Sequence, residues 1–168
     1  YCRGAIGGYD DGTFRPNSPL TRGQFSKMVV LGHNWNMYNP YFPTFPDVPT
    51  TNVFYQPIET VRLREIAGGY DDGTFRPNSE VTRAQATKML VLGHGWAPTF
   101  PATPSFWDVP YQHWAYGYVE TAYARGIVSR QNDGSFGLNT VITRGELCKM
   151  LSLTLRQSYR PGDPGPRP

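Results

Sequence analysis

A chain of 168 residues with 14% aromatic residues is long enough to bury a core and too aromatic to be disordered. No apolar stretch approaches the ~20 residues of a membrane span, and the net charge of +3 is not gathered into a Lys/Arg run, which disfavours a nucleic-acid binder. The charge leaves a mild preference for anionic partners, while 18 glycines and 16 prolines call for short helices joined by long, rigid loops.

In chain order, the first organised stretch is Gly8-Tyr9-Asp10-Asp11-Gly12-Thr13-Phe14-Arg15-Pro16-Asn17, followed by Thr21-Arg22-Gly23-Gln24. It returns at Gly69 to Asn78 with Thr82-Arg83-Ala84-Gln85, and in weaker form at Asn132-Asp133-Gly134-Ser135-Phe136 with Thr143-Arg144-Gly145-Glu146. Gly12, Gly73 and Gly134 stand 61 residues apart, so one supersecondary unit is used three times. The units span 1–35, 45–96 and 106–156, with a proline-rich tail at 157–168.

Each full unit reads as an opening helix, a glycine-rich loop and a closing helix. The openers follow Phe45-Pro46-Asp47-Val48-Pro49, with Phe54, Ile58, Val61 and Leu63 behind it, and Phe106-Trp107-Asp108-Val109-Pro110, with Trp114, Tyr118, Val119, Ala122 and Tyr123 at helical spacing up to Gly126. The first unit shows only the tail of an opener, Tyr1 to Arg3. A repeat cannot bury its apolar face alone, so upstream sequence, or else another chain, is expected to complete it.

In the loop, Asp-Gly supplies a turn, Phe14, Phe75 and Phe136 are expected to plug the core, and Arg15-Pro16 and Arg76-Pro77 to leave the loop extended. Asp10 and Asp11 are adjacent and lack the rest of a calcium-ligand set, which points to turn chemistry. Thr21 with Gln24, Thr82 with Gln85 and Thr143 with Glu146 are capping boxes that start the closing helices. Phe25, Met28 and Val29, then Met89, Leu90 and Leu92, then Leu147, Met150 and Leu151 form their buried stripe. Lys27, Lys88 and Lys149 read as a solvated face. Gly32 and Gly93 read as C-caps beside His33 and His94, and Trp35 and Trp96 follow, to pack the loop or to stack on a sugar. Cys148 is a packed thiol, with a bridge to Cys2 left open.

Phe-x-Asp-Val-Pro, Gly-Tyr-Asp-Asp-Gly-Thr-Phe-Arg-Pro-Asn and Thr-Arg-x-Gln/Glu together resemble the S-layer homology family over residues 1–156. The resemblance implies a mainly α fold: a pseudo-threefold trefoil of helix–loop–helix repeats, with the opening helices in a central bundle and the first repeat lacking its opener. It implies attachment to a secondary cell-wall polymer or peptidoglycan-linked glycan, commonly pyruvylated, at the cell surface. The motif's arginine role falls on Arg22, Arg83 and Arg144, each at a helix start where orphan N–H groups favour an anion. Tyr9, Tyr70, Trp35 and Trp96 are candidate faces for the sugar ring. The third unit departs from the pattern at Arg130-Gln131 and Gly137-Leu138, which weakens the groove at Arg144.

A structural subunit of an S-layer, sheath or filament, contacting further copies of itself or an upstream domain, is the competing reading. For an enzyme there is no nucleophile with a nearby base and no metal-spaced cluster; no cofactor is implied. Glu59 and Glu120 match across repeats and would be the carboxylate pair of a glycosidase, or else helix-surface or groove-lining groups.

Overall fold

The computed structural model describes residues 6–157. The opener tail at Tyr1 to Arg3, the pairing of Cys2 and the proline-rich run from Arg160 lie outside the described residues. Five helices follow one another: α1 (Arg22–Gly32), α2 (Tyr55–Leu63), α3 (Arg83–Gly93), α4 (Tyr116–Ala124) and α5 (Arg144–Leu155). Among the described residues there is no strand, only three isolated bridges, so the mainly α expectation holds.

The closing helices α1, α3 and α5 each touch the other two, α2 packs on α1, and α4 packs on α3. The closing helices, not the opening ones, therefore make the central bundle. Their sequences explain why. Phe25, Ser26, Met28, Val29, Val30 and Gly32 of α1 are all buried, so the helix is small or apolar around more than half of its girth, as an interior helix must be. Helix α2 buries Ile58 and Val61 but exposes Leu63, and so belongs outside. Each lobe joins the closing helix of one unit to the opening helix of the next. Among the described residues no helix covers α5 as α2 covers α1.

Three capping boxes start the closing helices: Thr21, Thr82 and Thr143 accept the N3 amide, and Gln24, Gln85 and Glu146 reach back. The first two helical N–H groups are satisfied from the neighbouring unit. Arg22 and Gly23 donate to Ser79 and Pro77, Arg83 and Ala84 to Thr140 and Leu138, and Arg144 and Gly145 to Ser18 and Pro16. The sequence of donors runs from unit one to two, two to three, and three back to one, which closes the ring.

The Asp-Gly turns form as expected. Asp11, Asp72 and Asp133 accept the amides of Thr13, Thr74 and Ser135, and Gly12, Gly73 and Gly134 have φ of 79°, 78° and 81°. The loop exit is not extended, however. Arg15 and Arg76 are left-handed, at φ 53° and 58°, a conformation costing ~1–2 kcal/mol for a residue with a Cβ. The Arg76 amide donates to Asp47 at 2.7 Å and its guanidinium to Asp72 at 2.8 Å, and these bonds hold it there. Unit three places Gly137 at this point, at φ 81°.

Phe75 and Phe136 are buried against Phe45 and Phe106. Phe14 is 38% exposed, because no described residue fills the corresponding place beside it. Gly32 and Gly93 end their helices but do not turn the chain, since the left-handed residues are Asn34 and Gly95. The glycines permit close approach instead: a Cβ on Gly32 would lie 2.9 Å from the Leu151 side chain.

The linkers are pinned by the opening helices. Glu59 accepts both the amide and the hydroxyl of Thr44 at 2.7 Å, and Glu120 does the same for Ser105 at 2.7 and 2.6 Å. Tyr55 and Tyr116 donate to the Pro40 and Pro101 carbonyls. Both carboxylates are buried and turned to the linkers. Replacing Glu120 by Ala removes two charge-assisted bonds and strands the Ser105 amide, so urea unfolding is expected to show a loss of about 3 kcal/mol.

At the far end of α1 and α3, His33 stacks on Trp35 at 4.4 Å, lies 5.9 Å from His94, and has Nδ1 3.0 Å from the Val29 carbonyl. Burial holds the His33 imidazolium down to about 4; the Val29 bond opposes this, and His94 and Arg64 add to it. A depressed histidine contributes stability that is complete above the unfolded value of ~6.5 and is lost as pH falls toward 4. Urea midpoints are therefore expected to drop between pH 6.5 and 4.5, and His33→Gln to flatten that slope.

Candidate functional site

The three arginines join one unit to the next before they do anything else. Arg22 donates from Nε to the Phe75 carbonyl at 2.8 Å and from Nη2 to Gly68 at 3.0 Å. Arg144 makes the same pair of bonds to Phe14 at 3.0 Å and Gly7 at 2.8 Å. The two side chains are 7% and 6% exposed. Desolvation lowers the Arg22 pKa, with Tyr70 and Asp47 opposing and Arg76 adding to the shift.

Arg83 differs, and the unit-three substitutions say why. Its Nη2 reaches the Ser129 carbonyl at 3.1 Å, but the Phe136 carbonyl already accepts from Gln131 Nε2 at 3.2 Å. Arg83 Nε is left buried with no hydrogen-bond partner among the described residues, and Nη1 turns to Glu146 at 3.4 Å. Any Cβ at Gly137 would collide with Gln131 Nε2, so glycine at 137 and glutamine at 131 belong together. The departures seen in unit three thus bear on the groove at Arg83. The groove at Arg144 is built against unit one.

The helix starts do not offer an anion their N–H groups. The first two on each closing helix are bonded to loop carbonyls and the third to the capping threonine. The four aromatic candidates are also engaged by the protein's own cations. Tyr70 carries Arg22 at 4.9 Å and Arg76 at 4.1 Å, and Tyr9 carries Arg144 and Arg15 at the same two distances. Trp35 stacks on His33 and lies under Arg64 at 4.4 Å. Trp96 is 1% exposed beneath Arg125, and its ring is part of the core.

The seam between units one and two opens into a cleft of about 280 Å³, lined by Arg22, Gly69, Tyr70, Gln85, Lys88 and Trp114 among others. Sequence pattern had put Lys88 on a solvated face and Trp114 in a helical stripe. Instead Trp114 precedes α4 and is 52% exposed, and Lys88 Nζ lies 5.8 Å from the rings of both Trp114 and Tyr118. No carboxylate lines this cleft. The seam between units two and three holds a smaller one, about 230 Å³, lined by Arg83, Arg130, Gln131, Glu146 and Lys149. The first cleft can take an anion on its cations and an apolar ring face on its indole.

The family description "S-layer homology domain" matches at residues 2–26, 44–87 and 108–148, one segment in each unit. The chain belongs to the S-layer homology family. S-layer homology (SLH) domains hold proteins to the cell wall, which places this chain at the cell surface. It is 36% identical over 112 residues to an endoglucanase of a Bacillus species, covering 65% of this chain and 11% of that protein. It is 26% identical over 160 residues to the middle cell wall protein of Brevibacillus brevis, covering 91% and 14%. It is 30% identical over 122 residues to the cellulosome-anchoring protein of Acetivibrio thermocellus, covering 66% and 26%. The SLH chain therefore spans between 11% and 26% of the length of these relatives.

Because Arg22 serves two carbonyls with one planar group, lysine is no substitute for it. Arg22→Lys keeps the charge and loses one of two buried bonds. A stability loss of about 1–2 kcal/mol is expected by urea unfolding, with the helical circular dichroism spectrum intact.

Proposed function

We propose that this chain is a non-catalytic anchoring module whose inter-repeat cleft binds acidic, pyruvylated cell-wall polysaccharide. The observation that carries this reading is the cleft at Arg22: two cationic side chains, a solvent-facing indole and no lining carboxylate. A pyruvate ketal adds a carboxylate to a sugar ring, so its charge suits Lys88 and the Arg22 edge and its ring suits Trp114. The two carboxylates that would serve glycoside chemistry are buried and spent on linker amides, which supports a binding role over a catalytic one. A lattice or filament subunit is the second reading, favoured by the exposed, edge-to-face pair Tyr41 and Phe42 on the first linker.

Cosedimentation with purified sacculi tests the anchoring reading. The chain is expected to pellet with untreated sacculi and to stay in solution after mild acid has removed ketal-linked pyruvate. Lys88→Met is expected to weaken binding about tenfold, near 1.4 kcal/mol. Binding that survives both changes overturns the reading. Scattering that grows with concentration, without wall binding, favours the subunit.

A further inference from the structure

The three seams repeat in sequence but not in what lines them. At the first, Gln85 and Lys88 of α3 face the Gly68 to Tyr70 loop, and Trp114, from the lead-in to α4, forms the outer wall. The repeat period puts Val53 at the place in unit two that Trp114 holds in unit three. Val53 is 80% exposed and offers no ring to the seam at Arg144. At the seam of Arg83 no aromatic side chain lines the cleft, and Glu146 stands where Gln85 stands in the first. Glu146 lies 3.4 Å from Arg83 Nη1, so its charge already draws on the arginine and opposes a second carboxylate.

We infer that the seams are non-equivalent and that the chain takes one acidic sugar residue, in the cleft walled by Trp114. The inference rests on the glycan-binding reading above. Trp114 is the specificity-determining residue: its indole covers the C–H face of the ring, and Lys88, held against that same indole, meets the carboxylate. The wall of this cleft comes from unit three although its floor belongs to units one and two, so a complete site needs all three.

Isothermal titration with the methyl glycoside of a 4,6-pyruvate-ketal amino sugar tests this. The wild-type chain is expected to show one site per chain. Trp114→Val is expected to weaken it at least tenfold, and Trp114→Tyr to hold affinity within threefold. Val53→Trp is expected to add a second site. Trp114 and Val53 are both exposed, and unchanged circular dichroism confirms that the fold survives each substitution. Two or three equal sites in the wild type, undiminished binding by Trp114→Val, or a single site in Val53→Trp overturns the inference and leaves wall anchoring standing. A wild-type chain that binds neither this glycoside nor sacculi overturns the anchoring reading, and the inference with it.

Discussion

Everything in this structure depends on a guanidinium laid across a seam. Arg22 and Arg144 each bond two carbonyls of a loop in another unit, and the first two amides of the same helix bond that loop further along. A glycine-rich loop has little apolar surface of its own to bury. It is ordered here because backbone groups that water would otherwise satisfy are satisfied by the next unit. The closing helix gains the same benefit, because its orphan donors would be costly to bury unpaired. Loop and helix start are therefore mutually dependent, three times over.

This changes how Arg22 should be understood. It is first a strut between units, and only the edge of its guanidinium reaches the cleft. A charge held that firmly is a fixed point against which a mobile lysine can work. Lys88 keeps a flexible stem and leans on two aromatic rings, so it can adjust to an anion while Arg22 cannot. Arg83 shows what happens when the strut is disturbed. Once Gln131 takes the Phe136 carbonyl, the arginine turns toward Glu146 and one buried donor goes without a partner.

Much of the fold was legible in the sequence because it is written in local rules. Capping boxes, Asp-Gly turns and the apolar stripes of the closing helices depend on residues a few positions apart. What sequence pattern missed depends on the neighbour. The resemblance put the opening helices at the centre, yet the closing helices meet there, and their Ser26 and Thr87 are buried as completely as the apolar residues. Arg76 was expected to be extended because proline follows it. Asp47, 29 residues earlier, overrides that preference by gripping its amide. Trp114 looked like one more helical aromatic, and no local feature separates it from Tyr118. Its position in the cleft follows only from how unit three leans on the seam of the other two. Tyr9, Tyr70, Trp35 and Trp96 carry the ring type that a sugar face needs, and nearby arginines of the same chain lie over all four.

The repeats counted along the chain are not the bodies seen in space. Because α2 packs on α1 and α4 on α3, every lobe straddles a repeat boundary. A gene fragment cut at those boundaries would carry two half-lobes and no whole one. A single repeat excised at those boundaries would expose on both of its helices the faces that now pack on its neighbours. The unit that closes on itself is the triplet, even though the alphabet is the single repeat.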